Sequence, residues 1–161
     1  MTIKFGIQIL QALSFFKKHN IVHCDVKPEN LMLREENKTG LKIIDVGSGC
    51  FESKQIYTYI QSRFYRAPEI ILGIRYTPAI DMWSFGCVLA ELQIGYPLFP
   101  GKDENDQILM FMELLGNPPN HILEKAVRRK KFFDSNYHCI VVPLKKKRRK
   151  QPRTLENILQ T

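Results

Sequence analysis

Along the first stretch of the chain, Ile3, Ile7, Leu10 and Leu13 recur at helical spacing, and Phe5, Ile9 and Phe16 widen the stripe. The spacing predicts a mostly buried core helix of about 16 residues. The pattern then breaks. Two apolar runs, Ile21-Val22 and Leu31-Met32-Leu33, flank the polar stretch His23-Cys24-Asp25-Val26-Lys27-Pro28-Glu29-Asn30. Pro28 keeps that stretch out of a helix interior and biases Lys27 toward an extended conformation, so the polar groups belong to a loop. Leu31–Leu33 and Leu41–Ile44 read as the strands of a hairpin around a turn at Asn37-Lys38-Thr39-Gly40. Residues 45–69 have few periodic apolar positions, and a loop of that length inside a domain is usually functional.

The clearest helix runs from Thr77-Pro78 to Gly95. Thr77 suits its cap, Pro78 its first turn, and Gly95 the left-handed position past its end. Met82 to Ala90 is apolar on nearly every face, which predicts a path through the core. An amphipathic helix over Asp106–Leu115, closed by Gly116-Asn117-Pro118-Pro119, and a short one over His121–Val127 complete the pattern. The expected fold is mainly α with a short β-hairpin (α+β). No internal repeat is visible.

Composition narrows the class. With 161 residues, 44% hydrophobic and 11% aromatic, the chain can build one domain with a real core and is not a disordered one. No apolar run reaches the length of a membrane span. The apolar start is expected to be a core helix and not a signal peptide, because Gln8 and Gln11 interrupt it and Lys17-Lys18-His19 replaces a small-residue cleavage site. Cys24, Cys50, Cys87 and Cys139 show no paired metal-ligand spacing, and the chain is too long and well cored to need a disulfide frame. A reducing, intracellular setting, nucleus and/or cytoplasm, is therefore expected.

Charge divides the chain. Residues 1–124 carry 12 basic and 14 acidic side chains, a net of −2, whereas residues 125–161 carry 12 and 2, a net of +10. The basic character thus belongs to Arg128–Lys131 and Lys145–Lys150. The second run resembles a nuclear-import signal, although a charge run is usually a solvated face. Nucleic acid is not expected as a partner, and a monomer is.

Asp25, Asn30 and Asp45 (the last directly after the Leu41–Ile44 run) offer three oxygen-bearing side chains suited to a hard cation such as Mg²⁺. Lys27 lies among them. Such a loop occurs in protein kinases and also in small-molecule phosphotransferases. In the long segment, Arg63 and Arg66 form a pair of guanidinium forks suited to a phosphate group. Asp81, at the start of a helix bound for the core, needs partners if it is buried. Backbone amides of the polar loop are the candidates, and an exposed first-turn aspartate is the alternative.

Tyr57-Thr58-Tyr59-Ile60-Gln61-Ser62-Arg63-Phe64-Tyr65-Arg66-Ala67-Pro68-Glu69, with Asp25-x-Lys27-x-x-Asn30 and Asp45-Val46-Gly47, resembles the eukaryotic protein kinases. Cys24, in place of the usual Arg, is similar to the dual-specificity tyrosine-regulated (DYRK) family, and small-molecule phosphotransferases have no counterpart of residues 57–69. The resemblance implies transfer of the ATP γ-phosphate to Ser/Thr of protein substrates. Asp25 is then the base, Lys27 the phosphate-contacting lysine, Asn30 and Asp45 the Mg²⁺ ligands, and Ser62 the hydroxyl that bonds the Asp25–Lys27 pair.

Tyr59 matches the autophosphorylated tyrosine, with Arg63 and Arg66 to clamp its phosphate, and Arg63 also matches an arginine linked to Ser/Thr-Pro substrates. Cys24 and Cys50, on loops that meet at the site, are a candidate redox-sensitive pair. Glu69 matches a glutamate normally paired with an arginine that this sequence lacks.

The resemblance covers residues 1–161 as a partial kinase domain: catalytic and activation segments 21–69, helical core 77–116, basic insert or tail 117–161. No glycine-rich phosphate loop and no strand lysine for ATP occur, and Val46 replaces the Phe of Asp-Phe-Gly. The chain thus reads as the large lobe of a kinase, truncated at both ends. Residues 1–161 alone are expected to be inactive or nearly so. The alternative is a pseudokinase-like scaffold, which would have no need of an intact Asp25, Lys27, Asn30 and Asp45.

Overall fold

In the computed structural model, which describes residues 1–35, 39–142 and 154–159, one buried helix organises the others. This helix, α3 (Ala79–Ile94), buries Ile80, Asp81, Ser84, Phe85, Cys87, Val88 and Ala90. Thr77 Oγ1 accepts the Ala79 N–H at 3.3 Å, and Gly95 closes the other end with φ 85°, its N–H bonded to Glu91 O at 2.8 Å. Only glycine adopts that φ without strain. Before it come α1 (Thr2–Lys18), β1 (Ile21–Val22), β2 (Leu31–Leu33), β3 (Leu41–Ile43), β4 (Cys50–Phe51) and α2 (Pro68–Leu72). After it come α4 (Glu104–Leu115), α5 (Asn120–Leu123) and α6 (Leu155–Leu159).

The core fills the space where α1, α3 and α4 meet. Ile9 and Leu13 pack with Phe85, Val88, Leu72, Ile108 and Phe111, and Phe132 and Phe133 close it below. Trp83, Phe99 and Phe111 form an aromatic triad, Phe99 meeting Phe111 edge-on at 4.8 Å. Each fully buried large side chain of this kind contributes about 1.5–3 kcal/mol.

Two small antiparallel sheets flank the polar loop. β2 pairs with β3, Leu31 opposite Ile43, as the hairpin pattern predicts, although Asn37 and Lys38 of its turn lie outside the described residues. β1 pairs with β4, Val22 opposite Cys50, a contact no local pattern announces. The mainly α architecture with short strands agrees with the expectation.

Several boundaries differ from it. On α1 the buried line is Gly6, Ile9 and Leu13, whereas Ile3, Ile7 and Leu10 are exposed along a groove of about 870 Å³ shared with Met82 and Leu89. Gly6 explains the choice: a Cβ there would stand 3.1 Å from Leu89 Cδ2, so the bare face is where α3 comes close.

α4 begins earlier than Asp106, because Asp103 Oδ1 accepts the Asp106 N–H at 2.9 Å and caps it. The helix expected over His121–Val127 stops at Leu123. The chain then tightens through the Lys125→Ile122 and Ala126→Leu123 bonds into a 3-10 turn at Arg129–Lys131. Val127 is fully exposed and gives a longer helix no apolar face to bury. No sequence pattern marks α2 or α6. The Lys145–Lys150 run lies outside the described residues.

Candidate active site

The polar loop hangs between β1 and β2, tied at three points. Asp81 accepts the backbone N–H of His23 at 2.7 Å and of Cys24 at 3.0 Å, and is buried. These amides are the partners the sequence pointed to, and the exposed alternative is set aside. Burial drives the Asp81 carboxyl above its ordinary range, against the two amides that favour its charge. His23, fully buried, holds Ile44 O at 3.1 Å through Nε2, while its Nδ1 accepts the Asp25 N–H at 3.3 Å. His23 therefore carries its proton on Nε2 and joins the loop to the residue before Asp45. Ile44 N–H completes the tie by donating to Asn30 O at 2.9 Å.

Asp25 stands at the centre. Its Oδ2 accepts from Lys27 Nζ at 2.7 Å and from Asn30 Nδ2 at 3.3 Å, and its Oδ1 accepts from Ser62 Oγ at 2.8 Å and Ser62 N–H at 3.2 Å. Lys27 Nζ also donates to Ser62 Oγ at 3.0 Å. Burial works upward on the Asp25 carboxyl, but the hydrogen bonds from Lys27 and Ser62 together outweigh it and hold the group below its ordinary range. The bond to Asp25 raises Lys27, against its partial burial. The pair is therefore an ionised aspartate beside a charged lysine.

Such an aspartate is a weak base but a good orienter of a hydroxyl, which suits chemistry in which the proton moves late. Asn30 commits its Nδ2 to Asp25 O at 2.8 Å, which leaves Oδ1 without a partner among the described residues. Asp45 is exposed with φ 62°, and its Oδ1 receives a long bond of 3.3 Å from Gly47 N–H. The two supply hard oxygen donors, which fits a Mg²⁺ ion. Val46 is exposed and packs against no core, so little fixes Asp45 from that side.

The segment carrying Ser62 is anchored by Gln61, which no sequence pattern singles out, and by Arg66. Gln61 adopts φ 67°; its Oε1 accepts the Ala67 N–H at 2.8 Å and its Nε2 reaches Ile80 O and Ser84 Oγ. Arg66 is buried and donates to Ile60 O at 2.9 Å and to Gln61 O at 3.2 and 2.7 Å. Its remaining nitrogen meets Tyr59 OH at 2.7 Å, with the guanidinium 4.1 Å from the ring centre.

Arg63 behaves differently: it is exposed and donates to Lys102 O. The expected twin clamp is thus one arginine on Tyr59 and one at the rim. Glu69 is neither fully buried nor exposed, at the first turn of α2, so it is not the fully buried, unpaired carboxylate that would be most costly. Cys24 and Cys50 are both free thiols, 4.0 Å apart, and Tyr76 OH lies 3.5 Å from Cys50 Sγ.

With this geometry in view, comparison with known proteins is decisive: residues 2–161 match the protein kinase domain. The chain belongs to the protein kinase family. It is 58% identical over 132 residues to dual specificity tyrosine-phosphorylation-regulated kinase 3 of Homo sapiens, covering 82% of this chain and 22% of the relative. It is 55% identical over 132 residues to the mbk-2 kinase of Caenorhabditis elegans, covering 82% of this chain and 16% of the relative. It is 49% identical over 158 residues to dual specificity tyrosine-phosphorylation-regulated kinase 2 of Drosophila melanogaster, covering 97% and 22%. The chain therefore spans about a fifth of the length of these relatives.

Proposed function

We propose that this chain is the substrate-holding lobe of a protein serine/threonine kinase with dual specificity, transferring the ATP γ-phosphate to Ser/Thr of protein substrates. The observation that carries the reading is the closed set of hydrogen bonds joining Asp25, Lys27, Ser62 and Asn30. In it Asp25 orients the acceptor hydroxyl and takes its proton, and Lys27 offsets charge on the transferring phosphoryl group. Ser62 holds both in register. Asn30 Oδ1 and Asp45 would hold Mg²⁺, which would supply charge neutralisation at the phosphate oxygens.

A preference for proline after the acceptor follows from Gln61 and Arg66. The carbonyl of Gln61 is occupied by Arg66. An acceptor hydroxyl at Asp25, beside Ser62, brings the next substrate residue toward Gln61, where its N–H finds no free acceptor. Proline has no N–H to leave unpaired. This argument moves the role from Arg63 to Arg66. Tyr59 is proposed as an autophosphorylation site, with Arg66 already on its hydroxyl; mass spectrometry of active protein should find it phosphorylated.

Cys24 and Cys50 are proposed as a redox pair. Burial, and then the neighbouring Cys50 and Asp81, keep the Cys24 thiol protonated, so oxidation starts at the half-buried Cys50. Peroxide converts Cys50 to a sulfenic acid, and the Cys24 thiol then displaces water to form the disulfide. Non-reducing peptide mapping that finds both thiols free after peroxide overturns this. An intracellular site of action, with import into the nucleus directed by Lys145–Lys150, is proposed from the charge run alone. A diffuse reporter fused to residues 140–155 refutes the import.

The main test joins residues 1–161 to the amino-terminal lobe of the Drosophila relative. The chimera should transfer phosphate from ATP in a Mg²⁺-dependent way, at least tenfold faster to Ser-Pro than to Ser-Ala peptides. Asp25→Asn should lower the rate by about 10²–10⁴. A folded chimera that binds ATP without transferring phosphate would instead favour a scaffold.

A further inference from the structure

Tyr59, Arg63 and Lys131 line one open cleft of about 310 Å³, together with Asp103, Glu104 and Asn105. Lys131 comes from the 3-10 turn after α5, far in sequence from the activation segment. Its Nζ donates to Glu104 Oε2 at 2.6 Å, and its side chain is about half exposed. Glu104 does not depend on that bond. Arg128 donates to its Oε1 at 2.8 Å and its Oε2 at 2.7 Å, a bidentate pairing that compensates the carboxylate by itself. Asp103 is also engaged, its Oδ1 capping α4.

Lys131 can therefore change partners without leaving Glu104 unpaired. A lysine ammonium is a compact point charge on a flexible stem, suited to changing partners. A phosphate brings roughly −1.5 to −2 charge, more than the already paired carboxylate offers.

We propose that phosphorylation of Tyr59 draws Lys131 off Glu104 and onto the phosphate, beside Arg63 and Arg66, so that the turn after α5 becomes a wall of the phosphotyrosine site. The inference rests on the reading of Tyr59 given above. Its consequence is mechanical. The 128–131 stretch is already fastened to α2, since Arg128 N–H bonds Leu72 O at 3.0 Å and its guanidinium reaches Ile71 O at 3.0 Å. A phosphate held by Lys131 would lock the activation segment to that scaffold and not merely to itself.

The test places phosphotyrosine at position 59 by genetic incorporation in the full chain, so that it does not depend on autophosphorylation. The phosphate is then titrated by ³¹P NMR. Arg63, Arg66, Arg128 and Lys131 favour the dianion, while Asp103 and Glu104 oppose it. The second ionisation should fall below that of free phosphotyrosine, about 6. Lys131→Met should raise the midpoint by about 0.3–0.5 pH unit relative to the unsubstituted protein, and Lys131→Arg should restore it.

A Lys131→Met midpoint equal to that of the unsubstituted protein overturns the inference. An unsubstituted protein that titrates like free phosphotyrosine overturns the whole clamp, which separates the two failures. Thermal unfolding supplies the control: Lys131→Met should lower Tm more in the phosphorylated form than in the unphosphorylated one. An equal loss in both forms makes Lys131 merely structural and also overturns the inference.

Discussion

Asp81 shows how much one buried side chain decides. Its two oxygens accept the N–H groups of His23 and Cys24, consecutive donors in the polar loop immediately before Asp25. Cys24 has φ 67°, a conformation that L residues seldom adopt, and the Asp81 bonds help hold it there. In Asp81→Asn one oxygen becomes an amide nitrogen facing a backbone N–H, leaving two donors opposed in a buried site. We expect a loss of about 1–3 kcal/mol in denaturant unfolding, with a fall in phosphate transfer by the chimera beyond what the lost stability explains. An Asp81→Asn variant with unchanged stability and rate would refute the tie. The residue types of Asp25, Lys27 and Asn30 were legible in the sequence because each has one obvious chemistry. Gln61 was not, since its role depends on a left-handed backbone and on Ala67, Ile80 and Ser84 reaching it from later in the chain.

Among elements, α3 and α4 give the cleanest predictions. Gly95 ends α3 with φ 85° and open space where a Cβ would lie, so Gly95→Ala measures conformational strain alone. It should destabilise by about 1 kcal/mol with no change in activity. At the start of α4, burial pushes the Glu104 carboxyl upward, but the bonds from Arg128 and Lys131 outweigh it, so its folded value lies below the ordinary 4.5. Its stabilisation is therefore complete above pH 4.5 and is lost as pH falls through the lower folded value. Glu104→Gln should cost about 1–2 kcal/mol at neutral pH. The difference from the unsubstituted protein should shrink in acid, and a constant gap down to low pH would contradict the ion-pair account. The start of α4 was misplaced because capping by Asp103 is a matter of geometry, whereas the apolar period begins only later.

For the molecule as a whole, the groups proposed as catalytic are brought together, but the means of holding ATP are sparse. Residues 1–161 contain no glycine-rich phosphate loop and no strand lysine for the nucleotide. Phosphoryl transfer depends on close alignment of both reactants. The isolated polypeptide should accordingly show at most background, Mg²⁺-dependent turnover, while its chimera is active. Robust turnover by residues 1–161 alone would disprove this. The groove along Ile3, Ile7 and Leu10 belongs to the same scale, because only the packing of α1 on α3 shows which apolar face is left outside.

The sequence by itself determined the fold class, the span of α3, the β2–β3 hairpin and the polar groups that the loop between β1 and β2 carries. These rest on local periodicity, on the fixed φ of proline and on side chains with a narrow set of uses. Tertiary structure decided the rest. The β1–β4 pairing brings Cys24 within 4.0 Å of Cys50 across 26 residues, and Arg66, not Arg63, takes Tyr59 and the Gln61 carbonyl. Lys131 lines the same cleft as Tyr59, although α4 and α5 lie between them in sequence. Such contacts join positions whose separation leaves no periodic trace, and which partner a charge chooses depends on burial and distance that only the packed chain supplies.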